Sequence, residues 1–587
     1  MYILGLTTLG DSAASLIKDG RIVAAAEEER FSRRKHHSGF PYHAVQYCLD
    51  EAGIKMSDVE HVALYWKPWV LRHKALQAVK SAFISRDMFK ARVDRGVAQV
   101  GDSYLGMLRH PKRLRERFGP SDFKFHFLEH HQTHAASAFF VSPFERAAIL
   151  TMDGTGEDTT TLFSVGEGTR IKPIKRIKLP HSLGQFYSAV TNFLGFDMFA
   201  GDEWKVMGLA AYGEPEFYDF FARRVLTTNG DHDFHLNVRV LDHHLAKHYQ
   251  FSEEIVRALG EPRKSGEEIG ERHQNIAASA QRVLEDTVLH LLGGLYERTK
   301  LEDLALAGGC AFNSVMNGRI WTETPFKRFF VQPAAGDAGC SLGAALLVYH
   351  QKLGRPRDFV MDHAYYGPSF TNDECRAALD AAGLKYETLP DEELLPRVAR
   401  IIADGGIIGW FQGRMEFGPR ALGGRSILGD PRSPSMQKTL NLRVKYRESF
   451  RPFAPAVLAE DVAEWFEHDR PSPYMLIVAD VVQRRRRAMT ADEEALFGID
   501  KLNVARSDIP AVTHVDYSAR LQTVHADTNP RFHALLSRFK ALTGCPVLVN
   551  TSFNVRGEPI VCTPEDAFRC FMGSDLDLLV VENCLLR

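Results

Sequence analysis

The stretch Tyr2–Glu29, "YILGLTTLGDSAASLIKDGRIVAAAEEE", decides how the chain folds. It reads as strand, turn, strand, turn, strand. Asp19-Gly20 is a hairpin signal, because both residue types accept the positive φ that a tight two-residue turn demands. The same plan returns at Ala147–Leu179, "AAILTMDGTGEDTTTLFSVGEGTRIKPIKRIKL". Each copy opens with an apolar strand that runs into a turn rich in Asp, Gly, Ser or Thr. An internal duplication of this kind predicts two related α/β halves facing each other across a cleft.

Further along, residues 265–299 have the pattern of one long amphipathic helix. "LEDLALAGGCAFNSVMNG" and "FFVQPAAGDAGCSLGAALLVYH" each read as strand, glycine turn and helix start. Periodicity weakens around 352–370, which sets a boundary between a first domain, 1–355, and a second α/β domain, 356–587. Residues 70–118 are basic and helical in pattern, as expected of a solvated insertion or a cap over the acceptor. The run Arg484–Arg487 reads as an exposed loop, because no aromatic residues interleave with it as they would in a single-strand nucleic-acid site.

Composition narrows the function classes. Of 587 residues, 45% are hydrophobic and 25% charged, the balance of a soluble globular protein. A net charge of −2 supplies no global field for nucleic acid or anionic membrane. The eight cysteines form no Cys-x-x-Cys pair, so neither a cysteine zinc site nor a disulfide framework is indicated, as suits a reducing cytoplasm. The N-terminus lacks a basic leader and Asp11 interrupts its apolar run, so it does not read as a signal peptide. No apolar run is long enough to span a bilayer.

Chemistry enters at "HHQTHAASAFF", His130–Phe140. His130 and His134 are spaced to share one face of a helix, and the small residues after them allow another backbone to approach. A zinc protease would need Glu directly after the first His; here that place is His131. Asp153, at the end of an apolar strand, and Asp337, in the glycine loop "PAAGDAGCS", are further candidates. Two His and two Asp suit Fe(II), Mn(II) or Zn(II) better than calcium. The "GGCAFN" turn, with Gly308, Gly309 and Asn313, resembles a nucleotide-binding turn. In "GDEWKVMGLAAYG", Glu203 and Lys205 form either a buried ion pair or part of the site, and Lys205 is a candidate cation for phosphate.

The second domain holds three dense motifs: "GRMEFGPRALGGRSIL" with Arg414, Arg420 and Arg425; "NLRVKYRESFRPFAPAVL" with Lys445, Arg447 and Arg451; and "VLVNTSFNVRGEPIV" with Asn550, Ser552 and Asn554. "HVDYSARLQTV" adds Arg520. A planar guanidinium donates two hydrogen bonds at once to phosphate. Together these residues look like a site for two anionic ligands.

The motifs "AAAEEERFSRRKH", "HQTHAASAF", "MDGTGE", "KVMGLAAYG" and "GGCAFNSVMNG" together resemble the NodU/CmcH O-carbamoyltransferase family, which includes the TobZ-type antibiotic carbamoyltransferases. The resemblance implies a duplicated actin-like (ASKHA, TsaD-like) N-terminal domain and a YrdC-like C-terminal domain. It implies a Fe(II)-type metal, or another divalent ion, at His130, His134, Asp153 and Asp337, with Gly154, Lys205, Gly308, Gly309 and Asn313 around an adenylate. In the second domain it implies that Lys445, Arg451, Arg520, Ser552 and Asn554, with Arg420 and Asn550, contact carbamoyl phosphate and ATP, the latter with Mg(II). Carbamoyl-AMP would form there and pass internally to the first domain, where a hydroxyl or amine of a small molecule attacks. Natural-product biosynthesis in the cytoplasm is the expected setting, with neither nucleic acid nor membrane as partner; a homodimer is compatible.

One departure stands out. The family usually carries His-Asp where this chain has Gly10-Asp11. Either the acceptor needs no such base, or His36, His37 or His131 takes the role, or transfer is lost and a nucleotide-binding scaffold remains. A tRNA-modifying enzyme of the threonylcarbamoyl type is the alternative from the same superfamily, disfavoured by the lack of a basic nucleic-acid face.

Overall fold

The structure is a computed structural model describing residues 1–70, 105–241, 251–446, 451–496, 501–502 and 504–587. Most of the basic segment 70–118, and Arg447, lie outside the described residues. The chain divides into two compact α/β units. The first comprises Met1–Glu28 and His36–Met361; the second comprises Glu29–Lys35 and Asp362–Arg587. The division falls at Met361/Asp362, against 355/356 from the sequence, and the sequence does not separate the short early segment Glu29–Lys35 from the first domain.

The first unit contains two five-stranded mixed sheets of the same plan. In one, β1 (Tyr2–Thr7), β2 (Ala13–Lys18) and β3 (Arg21–Glu27) form an antiparallel meander, and β4 (Val59–Leu64) and β5 (Lys124–Phe127) add in parallel beyond β1. In the other, β6 (Arg146–Met152), β7 (Thr159–Glu167) and β8 (Arg170–Lys178) form the meander. After the hairpin β9 (Leu226–Asn229) and β10 (Asp233–Leu236), strands β11 (Asp303–Ala307) and β12 (Arg328–Val331) add in parallel beyond β6. The orders β3-β2-β1-β4-β5 and β8-β7-β6-β11-β12 match strand for strand. The β2–β3 turn has Asp19 at φ 50° and Gly20 at φ 83°, the conformation the Asp-Gly pair favours.

Three helices position the site: α1 (His130–Phe139), α2 (Leu183–Phe193) and α3 (Glu203–Ala210). The 29-residue α4 (Glu271–Thr299) carries the long amphipathic pattern, and α5 (Ser314–Glu323) and α6 (Asp337–Leu346) follow the two glycine turns. Helix α6 approaches its neighbours at backbone contact. A Cβ on Gly343 would lie 1.9 Å from the Thr133 carbonyl oxygen of α1, and one on Gly5 of β1 would lie 1.8 Å from that of Ser341. The small residues of "HAASAF" and "GDAGCSLGAA" exist for this packing.

The second unit is built on a nine-stranded mixed sheet formed by β13 (Glu387–Thr388), β14 (Ile408–Phe411), β15 (Arg425–Gly429), β16 (Ala454–Leu458), β17 (Ile477–Asp480), β18 (Ser518–Val524), β19 (Val547–Ser552), β20 (Leu578–Val581) and β21 (Cys584–Leu586). Helices α7 (Asp391–Ala403) and α8 (Pro530–Thr543) pack Leu394, Val398, Phe532 and Phe539 into its core, where Trp410 and Phe411 are buried. Glu29–Lys35 joins this unit because Arg33 donates to the carbonyls of Pro559 and Ile560, and Arg30 to that of Gly418. Among the described residues, no helix is long and apolar enough to cross a membrane.

Candidate functional site

In the first unit the candidate residues follow the C-terminal ends of the central strands, where α/β sheets present ligand sites. Gly10 and Asp11 follow β1, Tyr65 follows β4, Asp153 follows β6, Gly308 and Gly309 follow β11, and Asp337 begins the helix after β12. One donor atom from each of His130, His134, Asp153 and Asp337 lies within 4.8 Å of the others. The two Nε2 atoms are 3.1 Å apart, and Asp153 Oδ2 lies 3.1 and 3.6 Å from them. Asp337 Oδ1 lies 3.6 and 3.8 Å from the same nitrogens.

These separations are those of donors that share one ion. Ligands at about 2.1 Å from a metal stand about 3.0–3.4 Å apart in octahedral or tetrahedral arrangements. Both imidazoles are fully buried, and burial together with the neighbouring His134 lowers the His130 pKa to about 4, so its ring is neutral, as a ligand must be. Burial, reinforced by the charge of Asp153, pushes the Asp337 carboxyl well above the ordinary carboxylate range. A divalent cation removes that repulsion, so the donor set fits an Fe(II)-type ion on charge as well as spacing.

The surroundings hold these donors in place. Glu157, 4% exposed, accepts from the His130 backbone N–H with both carboxylate oxygens and from the Lys67 N–H at 3.0 Å. A carboxylate at the start of α1 satisfies an end N–H and complements the helix dipole; burial raises its pKa to about 7. The Tyr65 hydroxyl lies 3.3 Å from Asp337 Oδ2, and the rings of Tyr65 and Trp66 each stand 5.2 Å from that of His130. Glu157 lies inside a motif quoted above, yet its role works through a backbone N–H and leaves no spacing signature; Tyr65 looks like any strand-end aromatic.

The glycine turns complete the wall. The Gly309 N–H donates to Asp153 Oδ1 at 3.0 Å, and Gly308, at φ 93°, has no room for a Cβ beside the Met152 carbonyl. Gly154 packs under Gly184 at the start of α2. Asn313 is the N-cap of α5, accepting from the Met316 N–H, and its amide donates to Gln281. Lys205 pairs with Asp202 at 2.8 Å and Glu203 accepts from Ser188 at 2.6 Å, so of the two readings the Glu203–Lys205 ion pair is not formed.

In the second unit the structure brings Lys445, Ser552 and Asn554 together. The Lys445 ammonium donates to Asn554 Oδ1 at 2.8 Å, to the Asn554 carbonyl at 3.0 Å and to the Ser552 carbonyl, all neutral oxygens. Asn550, fully buried, donates to Gln522 and to the Ala421 carbonyl. Arg520 lies on β18 beside Gln522, and Arg451 is tied by its carbonyl to Asn441.

Arg420 is unlike the others. Its Nε is buried, its guanidinium makes no hydrogen bond or ion pair with any described residue, and burial lowers its pKa to about 10. Arg414 and Arg425, grouped with it as anion binders from sequence, are structural. Arg425 is fully buried, stacks 3.6 Å from the centre of Phe411 and donates to the carbonyls of Pro368, Gln412, Gly413 and Gly424. Arg414 donates to the carbonyls of Tyr366 and Gly367. The Arg484–Arg487 run is also held within the unit: Arg485 stacks on Trp465, Arg486 pairs with Asp480 and Arg487 with Glu493.

Comparison with known proteins fits both halves. The family model for the carbamoyltransferase N-terminus matches residues 2–346, and that for the carbamoyltransferase C-terminus matches residues 399–587. An uncharacterized protein of Synechocystis sp., sll1178, is 49% identical, covering 100% of this chain and 96% of its own length. Nodulation protein NolNO of Sinorhizobium fredii is 37% identical over 99% of this chain and 79% of its own length. Nodulation protein NolO of Bradyrhizobium diazoefficiens is 40% identical, covering 78% of this chain and 79% of its own length. With both family models matched across most of its length, the chain belongs to the carbamoyltransferase family.

Proposed function

We propose that this carbamoyltransferase draws its carbamoyl group from carbamoyl phosphate, activates it with ATP as carbamoyl-AMP, and transfers it to a hydroxyl or amine of a small molecule in natural-product biosynthesis. The observation that carries this reading is Arg420, a partly buried guanidinium whose Nε is buried and which pairs with no carboxylate among the described residues. An unpaired buried charge is costly, and a polyanionic substrate is the partner that removes the cost. Lys445, which donates to the side chain and carbonyl of Asn554, adds a second cation, and Arg451 and Arg520 come from neighbouring motifs. Asn550 and Ser552 lie at the end of β19 and Asn554 just beyond it, with Ser552 and Asn554 meeting the Lys445 ammonium.

The chemistry balances in two steps. Water cleaves carbamoyl phosphate to carbamate and phosphate; carbamate oxygen then attacks the α-phosphorus of ATP and pyrophosphate leaves. We assign this to the second unit, as a YrdC-like domain using Mg(II) with ATP. Transfer belongs to the first unit, whose twin sheets support an actin-like, TsaD-like reading. There His130, His134, Asp153 and Asp337 would hold Fe(II) or another divalent ion, which supplies charge neutralisation and Lewis acidity at an adenylate phosphate. Gly154, Gly308 and Gly309 leave backbone room for the nucleotide, with Lys205 and Asn313 nearer the periphery.

The test is pyrophosphate release from ATP in the full chain. It should depend strictly on carbamoyl phosphate and be lost in Arg420→Ala and in Lys445→Ala. Release at the wild-type rate in both variants would falsify the assignment of the second unit.

A further inference from the structure

The motif that supplies Asp337, "PAAGDAGCS", carries a second group of metal-binding type three residues later, Cys340. Three residues is close to one helical turn, so Asp337 and Cys340 are neighbours along one face of α6. Gly343, three residues further on, packs against the α1 backbone at Thr133. Along α6, Cys340 therefore lies between that contact and Asp337. The Thr133 side chain, in the turn between the two histidines, reaches its thiol.

Distance makes the thiol a candidate donor. One ring nitrogen of each of His130 and His134 and the Cys340 sulfur lie within 4.8 Å of one another. With metal–sulfur and metal–nitrogen bonds of about 2.3 and about 2.1 Å, a sulfur and a nitrogen sharing a tetrahedral ion stand about 3.6 Å apart. The thiol thus has at most about 1.2 Å to close. It comes from the buried side: Cys340 is 0% exposed, whereas the side chains of Asp153 and Asp337 are 15% and 23% exposed.

A buried cysteine is by default a small apolar side chain. A second observation points to a ligand instead. Nδ1 of His130 and Nδ1 of His134 are buried and hydrogen-bond nothing among the described residues. Metal-ligating imidazoles are ordinarily fixed by a hydrogen bond at their second nitrogen. These two lack that anchor, so an ion and its remaining donors must fix the rings. Cys340 forms no disulfide, which leaves its sulfur available. The next residue, Ser341, is by contrast engaged by Ser15 and the Ala338 carbonyl, a packing role.

We propose that Cys340 is a thiolate ligand of the cluster's metal, joining His130 and His134 from the buried side while Asp153 and Asp337 face the opening. Binding displaces the thiol proton to solvent, and the sulfur–metal bond forms in place of the S–H bond. A thiolate selects for zinc or iron, whereas a set of nitrogen and oxygen alone also suits Mn(II). Cys340 thereby narrows the choice that two His and two Asp leave open. This inference rests on the metal cluster proposed above.

The experiment titrates the metal-free full chain with Co(II), without oxygen, and follows the absorption spectrum. The wild type should develop a thiolate-to-cobalt charge-transfer band in the near ultraviolet together with visible ligand-field bands. Cys340→Ser should keep the ligand-field bands and lose the charge-transfer band; His134→Ala should lose both. Zn(II) affinity of Cys340→Ser should fall at least on the order of 10-fold, the loss that even removal of an outer partner produces. Its Mn(II) affinity should be unchanged, which also reports that the variant is folded. The wild type provides a test that needs no variant: bound cadmium should resonate where sulfur-ligated cadmium does, and not where nitrogen- and oxygen-ligated cadmium does. A charge-transfer band that survives in Cys340→Ser, its absence from the wild type, or an equal loss of Zn(II) and Mn(II) affinity overturns the role of Cys340. A wild type with no His134-dependent cobalt spectrum removes the metal cluster itself, a distinguishable failure.

Discussion

Arg420 and Arg425 lie in one motif and meet opposite fates. Arg425 donates to four backbone carbonyls in the core; those of Pro368 and Gly424 also accept from the Met415 and Gln412 N–H groups, so its removal bears on those of Gln412 and Gly413. A buried acceptor left unpaired costs about 1–3 kcal/mol, so Arg425→Ala destabilises the second unit by about 2 kcal/mol or more. Arg420 bonds to none of the described residues, and its truncation removes an uncompensated charge. Arg420→Ala should therefore leave the melting temperature unchanged or raised while it abolishes pyrophosphate release. Calorimetry and the release assay on both variants separate the roles; a destabilised Arg420→Ala beside a stable Arg425→Ala would reverse the assignment. Sequence could not divide them, because an arginine ringed by carbonyls and one awaiting an anion have the same neighbours along the chain.

At the scale of elements, close packing of small residues sets the geometry of the cluster. Gly343 lies inside α6, where replacement by Ala ordinarily gains helix stability, about 1 kcal/mol. Here the new Cβ would sit 1.9 Å from the Thr133 carbonyl, with the Ser137 nitrogen at 2.9 Å. Both obstacles are backbone of α1, the helix that carries His130 and His134. The steric term wins, and Gly343→Ala should cost about 1–3 kcal/mol, as overpacking does. Because α6 also carries Asp337, divalent-metal affinity should fall in the same variant; a raised melting point with intact affinity would contradict the packing. Much of this scale was legible in the sequence. The paired meanders announced the twin sheets, the strand-end positions announced Asp153 and Asp337, and the run Ala135–Ala138 announced a close approach. The segment Glu29–Lys35 was not legible: its arginines leave their sequence neighbours for carbonyls beyond residue 400, a choice only the tertiary fold makes.

Across the whole molecule, two chemistries are assigned to two units, and that division is open to a direct test. His134→Ala removes one donor from the cluster of the first unit and touches no residue of the anion-binding set. If the assignment is right, this variant still releases pyrophosphate in a carbamoyl phosphate-dependent way but no longer carbamoylates hydroxylamine. Metal binding provides the independent readout. At a hundredfold excess over its dissociation constant, a ligand specific to the folded state adds about 2.7 kcal/mol of stability. Fe(II) or Co(II) should therefore raise the melting temperature of the wild type and leave that of His134→Ala nearly unmoved. The pH dependence has a defined sign. With its carboxyl pushed up by burial and by Asp153, Asp337 carries a proton in the metal-free protein at a pH where an ordinary carboxylate has lost it. Binding must displace that proton, so affinity should rise with pH through the Asp337 titration, and titrations in buffers of different ionisation enthalpy should show proton release. Metal uptake that is pH-independent and indifferent to His134 would place the ion elsewhere, and the transfer chemistry with it.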